Sequence, residues 1–134
     1  MNILHIIGGH LSGGAARGAY WLHKGLLELG VDSRVLTDSR ETYGNPTVIS
    51  TTQNKKGKLF ALVREQADFP LQAFYRNRKR YIFGTGLFGY NFTLTKSYKE
   101  ADIVHLHWIC GGMVNIQHLS RVNKPIVWTM RDMW

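Results

Sequence analysis

Asn2-Ile3-Leu4-His5-Ile6-Ile7-Gly8-Gly9-His10-Leu11-Ser12-Gly13-Gly14-Ala15-Ala16-Arg17, residues 2 to 17, is the stretch that decides the fold. Residues 2 to 7 are β-branched and apolar, as in a central parallel strand covered on both faces. A Gly-rich turn from Gly8 to Gly14 follows at once. From Ala15 onward, Ala16, Ala19, Leu22, Leu26 and Leu29 recur at helical spacing, and Gly30 is placed to stop the helix. Strand, glycine turn and helix in that order open a parallel α/β unit.

The pattern continues outward. Val31 to Thr37 reads as a second strand, Asp38-Ser39 opens a polar loop towards Pro46, and Val48-Ile49-Ser50 is a short third strand. Leu59, Phe60, Val63, Ala67, Leu71 and Phe74 predict an amphipathic helix between Leu59 and Tyr75, interrupted near Pro70. Phe83 to Tyr90 is a Gly-rich aromatic loop. Asp102 to Trp108 is a strand, Met113 to Val122 a short helix, and Pro125 to Met130 the last strand. Alternating strands and helices define an α/β class, a Rossmann-like parallel sheet with helices on both faces. A single domain spanning 1–134 is expected, since 134 residues at 44% hydrophobic suffice for one core.

Composition limits the function classes. The apolar stretches are strand-length, well short of the roughly 20 residues of a membrane span. Met1 leads straight into the first strand without a basic n-region, so no secretory signal is expected, and a single cysteine, Cys110, fits a reducing, cytoplasmic setting. The net charge of +8 is concentrated between Gln53 and Arg80, in Lys55, Lys56, Lys58, Arg64, Arg76, Arg78, Lys79 and Arg80. Such a face attracts nucleic acid, anionic lipid or a phosphorylated substrate, or is simply solvated.

Ligands of parallel sheets collect beyond the carboxyl ends of the strands. Three segments lie there: Gly8 to Arg17, His107 to Gly112 and Arg131 to Trp134. The glycine loop fits no common phosphate binder. His10 occupies the second glycine of a Gly-x-Gly-x-x-Gly fingerprint read from Gly8, and Gly13-Gly14-Ala15-Ala16 lacks the lysine and hydroxyl of a P-loop. What remains is backbone amide at a helix N-terminus, with Arg17 in the first turn to pair with a phosphate, or glycines that only permit tight packing. His105 and His107 point to one face of their strand and could be two metal ligands. No third ligand at fixed spacing accompanies them, so no metal and no cofactor are expected and His105 reads as a packed core histidine. Trp108 and Trp128 read as core or pocket wall, and Cys110 has no evident base partner.

Ala101-Asp102-Ile103-Val104-His105-Leu106-His107-Trp108-Ile109, Gly111-Gly112 and Lys124 through Trp134 resemble the N-terminal domain of retaining, GT-B glycosyltransferases of family 4, of the bacterial polysaccharide-biosynthesis type. Gly8-Gly9, Gly13-Gly14-Ala15 and Arg17 fit the same family's first loop, and Phe83-Gly84 with Gly86 its acceptor-side loop. The resemblance implies one half of a GT-B fold, moving a sugar from a nucleotide-sugar donor to a glycan or lipid-linked acceptor. It implies donor-phosphate binding at Gly13, Gly14 and Arg17, acceptor binding at His107, Trp108 and Gly86, and catalytic roles for Asp132 and Arg131. Arg131 stands where many members have histidine. The resemblance also implies a C-terminal donor-binding domain as covalent partner, absent here, so turnover by this chain alone is not expected. Peripheral contact with the inner face of the plasma membrane through residues 55–80 is a further expectation, and nucleic acid is not expected as a partner. The alternative is a non-catalytic basic anion-binding module, recruited to nucleic acid or an anionic membrane surface.

Overall fold

The computed structural model describes residues 1–73 and 84–130. Its strands are β1 (Asn2–Ile7), β2 (Asp32–Thr37), β3 (Val48–Ser50), β4 (Ile103–Leu106) and β5 (Ile126–Trp128). All neighbours are parallel, in the order β3-β2-β1-β4-β5. The apolar run at residues 2 to 7 is therefore the central strand, and the sheet is Rossmann-like. From β1 the chain first builds outward to β2 and β3, then returns to the opposite flank of β1 as β4. The order reverses between β1 and β4, and ligands of such sheets collect near that reversal, beyond the carboxyl ends of the strands.

Strand side chains alternate between faces, so each face has its own core. Leu4, Ile6, Leu36, Val104 and Leu106 form one, packed against Phe92 of a 3-10 turn (Phe92–Leu94), Tyr98 of α3 (Lys96–Glu100), and Met113 and Val114. The opposite face buries Ile7, Val35 and Val48 with Leu11 under Ala16 and Ala19 of α1 (Gly14–Glu28). That second face is also polar: His5, His23, Ser33, Thr37 and His107 are all buried. Helices thus cover both faces.

α1 starts at Gly13, which has extended backbone and supplies no side-chain cap, and no acidic residue occupies the first turn. Its end follows the expectation for Gly30. At φ +76° Gly30 donates to the Leu27 carbonyl (3.0 Å) while Val31 donates to Leu26 (2.9 Å), the paired bonds of a Schellman stop. The buried face differs from the expected leucine stripe. Ala16, Ala19 and His23 face the sheet, while Leu22 and Leu29 are exposed. The small alanines allow close approach, and His23 gains hydrogen bonds to Ser33 Oγ (2.7 Å) and Thr47 Oγ1 (2.9 Å) that no leucine could make.

Three other elements depart from expectation. The region 113–122 holds only the four-residue α4 (Ile116–Leu119), capped by Asn115 accepting from the Gln117 amide (2.8 Å). Met113 and Val114 are committed elsewhere, since Tyr90 donates to the Met113 carbonyl (3.0 Å) and bridges to Val114. α2 (Lys55–Ala73) is one helix that passes through Pro70. Pro70 falls in the last turn, where its missing N–H removes a single bond from the ladder. The strand expected at 102–108 ends at Leu106, leaving His107 and Trp108 in the loop. At the far edge, Ile126, Val127 and Trp128 of β5 are each partly open to solvent.

Gly8 fixes how the exits of β1 and β4 meet. Its amide donates to the Trp108 carbonyl at 2.6 Å, and a Cβ there would lie 2.9 Å from the Cys110 carbonyl oxygen and 3.1 Å from Met113 Cβ. Gly14 has nothing within 4 Å of the equivalent position. Chemical denaturation should therefore show Gly8→Ala destabilised by roughly 1–3 kcal/mol. Gly14→Ala should be neutral or stabilised by up to about 1 kcal/mol. Equal losses for the two would contradict the close packing of the two exits.

Candidate functional site

A pocket of about 410 Å³ opens at the carboxyl edge of the sheet. β1 delivers Gly9 and His10, β2 delivers Asp38, Ser39 and Arg40, and the loop after β4 delivers Trp108 and Gly111. α2 closes the remaining side with Lys58, Ala61, Leu62 and Glu65. Its volume lies in the range of small-ligand sites.

Asp38 is the anchor of the floor. Its Oδ1 accepts the Gly9 amide at 2.7 Å, tying the exit of β2 to that of β1, and Gly9 adopts φ +76°, a conformation glycine reaches without strain. Burial pushes the Asp38 carboxyl above its ordinary value, opposed by the Gly9 amide and by the charge of Arg64. The neighbouring exits are stiffened by hydroxyls: Ser50 Oγ donates to the Ser39 carbonyl (2.6 Å) and Thr52 Oγ1 to the Asp38 carbonyl (3.1 Å). Arg64 fastens α2 to the β4 loop, its Nε donating to the Gly112 carbonyl (3.1 Å) while its guanidinium lies over the Tyr90 ring.

The residues singled out in the sequence fall in several places. Trp108 lines the pocket. Gly13 lies beside it, its amide bonded to the carbonyl of the pocket residue His10 (2.9 Å). Gly14 opens α1, and Arg17, exposed on the next turn, stacks over Trp21 with its guanidinium carbon 5.2 Å from the ring centroid. His107 is buried beneath the loop on the α1 face rather than in the pocket lining. Gly86 packs on Ile116, whose amide donates to its carbonyl (2.8 Å), away from the pocket residues. Arg131 and Asp132 lie outside the described residues, as do Arg76, Arg78, Lys79 and Arg80. Asp38 and Arg64 were missed as site residues. For Asp38 a signal existed, because the residue just past the second strand of a Rossmann-like sheet faces the ligand crevice.

A second cluster lies under the floor. Register places His5 of β1 directly opposite His105 of β4, and His107 follows two residues on. The His105 and His107 rings stack with centroids 4.1 Å apart, and His5 lies 5.1 and 5.2 Å from them. His5 Nδ1 and His107 Nε2 share a hydrogen bond of 3.0 Å, and His105 Nε2 pairs with Thr129 Oγ1 at 2.8 Å. Burial first, and then the neighbouring rings of His107, His105 and His23, lower the His5 pKa to about 3; burial also lowers that of His23. The His5 imidazole is thus neutral at pH 7. Candidate ligand nitrogens of His5, His105 and His107 all lie within 4.8 Å of one another. The third candidate ligand missing from the sequence around His105 comes from a strand a hundred residues earlier. Aligning β1 with β4 as adjacent central strands would have revealed it.

Comparison of the chain with family models, with curated proteins and with solved structures finds no match.

The raised Asp38 carboxyl has a consequence for stability. Its folded pKa lies above the unfolded value, so the folded state holds the extra proton between the two. That contribution is present below the unfolded pKa and is lost as pH rises through the folded one. Asp38→Asn keeps an oxygen for the Gly9 amide and removes the partly buried charge. Thermal melts should show the variant at least as stable as the parent at pH 7, with its advantage shrinking towards pH 4. A variant clearly less stable at pH 7 would show that the charge itself holds the loops.

Proposed function

We propose that this domain is the acceptor-side half of a nucleotide-sugar-dependent glycosyltransferase. The observation that carries the reading is the pocket at the strand-order reversal, whose floor is a partly buried carboxylate, whose wall is an indole and whose rim is cationic. Each component suits a sugar bound beside a diphosphate. Asp38 offers oxygens to sugar hydroxyls, and a carboxylate with perturbed titration in a cleft is characteristic of a functional position. Trp108 offers a flat apolar face. Arg40 and Lys58 line the opening, and the first turn of α1 presents backbone amides with neither a capping side chain nor an acidic neighbour. Amide dipoles of that kind stabilise negative charge on a departing diphosphate without rearrangement during the reaction. The residue resemblance at 101–134 supports the same class, with Gly13, Gly14 and Arg17 on the donor-phosphate side.

Membrane contact belongs to this reading through α2. Leu59, Phe60 and Val63 are exposed on the same helix as the exposed Lys55, Lys56 and Lys58, a combination suited to an anionic bilayer surface where lipid-linked acceptors reside.

Amide chemical-shift mapping tests the assignment. UDP-glucose and GDP-mannose, titrated at physiological salt, should perturb Gly9, Gly13, Gly14 and Arg17 and the Trp108 indole. Arg17→Ala should weaken that binding severalfold, consistent with a charge-assisted hydrogen bond of about 1.5–3 kcal/mol. Shifts confined to Lys55, Lys56 and Lys58, equally produced by an oligonucleotide and abolished by moderate salt, would instead establish the anion-binding module.

A further inference from the structure

We infer that His5, His105 and His107 form a binding site for a divalent transition-metal ion, with Zn2+ the natural occupant. The site is separate from the pocket and does not depend on the glycosyltransferase reading.

The backbone supplies the first argument. Parallel pairing sets His5 opposite His105, and the two-residue period of a strand puts His107 on the same face. A hydrogen-bonded ladder fixes His5 and His105, and the amide of His107, just past β4, donates to the Ile6 carbonyl (3.1 Å), so the third ring is held at the end of the same ladder. Ligand nitrogens on all three residues lie within 4.8 Å of one another, and the His5 to His107 pair is at 3.0 Å. Tetrahedral zinc with Zn–N bonds of about 2.0–2.1 Å places its nitrogens about 3.3 Å apart. A separation of a few tenths of an ångström more than that observed between His5 and His107 would admit the ion.

The hydrogen-bond inventory supplies the second. His5 is fully buried, and its Nε2 has no hydrogen-bond partner among the described residues. Leaving a buried polar atom unpaired is costly, and an aliphatic side chain at this position of a central strand would avoid it. A histidine retained there at that cost has a use for its ring, and Nδ1, the nitrogen facing His107 Nε2, is the one placed to bind the ion.

Chemistry selects the ion. Three imidazoles suit Zn2+, Cu2+, Ni2+ or Co2+, and not the oxygen-seeking Mg2+ or Ca2+. Thr129 Oγ1, 2.8 Å from His105 Nε2, completes the surroundings. It either orients the His105 ring, as outer-shell hydroxyls and carbonyls commonly do, or approaches as an oxygen donor. His105 is the only partly exposed member of the three, so the remaining coordination position, for a water or hydroxide, lies on its side.

The untagged chain, stripped with a chelator and titrated at pH 7.5, should bind one Zn2+ per molecule in calorimetry, and its melting temperature should rise with Zn2+ concentration. Mg2+ should do neither. Co2+ should bind with the visible absorption of a low-coordinate nitrogen site and without thiolate charge transfer from Cys110. His105→Gln, at the least buried position, should stay folded and weaken Zn2+ binding at least about tenfold. His10→Ala and Cys110→Ser should leave affinity unchanged. Should His5→Phe fail to fold, His105→Gln alone still decides. Absence of saturable one-to-one binding, or affinity that survives His105→Gln and falls with His10→Ala, would overturn the site.

Discussion

The pairing of β1 with β4 is the constraint on which the rest of the structure depends. Ile3, Leu4, His5 and Ile6 stand opposite Ile103, Val104, His105 and Leu106, joining segments a hundred residues apart in the chain. Closing a loop of that length costs entropy that no single contact repays, although the cost grows only slowly with length. The two buried faces that the pairing completes meet it together. Once β4 lies beside β1, the order of strands must reverse there, and the crevice, the meeting of Gly8 with Trp108 and the stacked histidines all follow. The same pairing puts Asp102 at the amino-terminal edge, where it accepts the Asn2 amide at 2.7 Å and helps set the register.

Much of this was legible in the residues because periodicity and glycine placement are local signals. The central strand at 2 to 7, the helix expected from Ala15 onward, the stop at Gly30 and the short strand at 48 to 50 all form, the helix starting one residue earlier at Gly14. What failed was governed by partners distant in sequence. The leucine stripe of α1 gave way to His23 because Ser33 and Thr47, on another element, offer it hydrogen bonds. The helix expected at 113–122 shrank because Val114 is drawn into a bridge with Tyr90. Local propensity is a weak prior once tertiary partners compete for the same backbone groups.

The site was legible in outline only. Topology alone located it, since ligand crevices of parallel sheets lie beyond the carboxyl ends, and Trp108 was placed correctly on that edge. Asp38 passed unnoticed because an aspartate after a strand is also an ordinary loop opener, and nothing local distinguishes the two. Its role emerges only with Gly9 in place. His107 shows the opposite error. Its proximity to the strand end suggested an open position, but side-chain parity turns it under the loop, onto the face covered by α1.

That parity divides the sheet into two faces with different tasks. One is apolar throughout: Leu4, Ile6, Leu36, Val104 and Leu106 meet Phe92 and Met113, and each fully buried large side chain contributes on the order of 1.5–3 kcal/mol. The other replaces aliphatic carbon with His5, Ser33, Thr37, His105 and His107 under a helix that contributes alanines and His23. Neutral hydrogen bonds there return only about 0.5–1.5 kcal/mol each, and an unpaired buried atom costs about 1–3 kcal/mol. A face built only for stability would carry valine and isoleucine at those positions, as the first face does. Directional groups tolerate few alternative arrangements, so cohesion rests on the apolar face while the polar one holds its rings, and the loops above them, in a single geometry. The cost of that arrangement falls directly beneath the pocket, where the same two strand exits must hold Gly9, Asp38 and Trp108 in fixed relation.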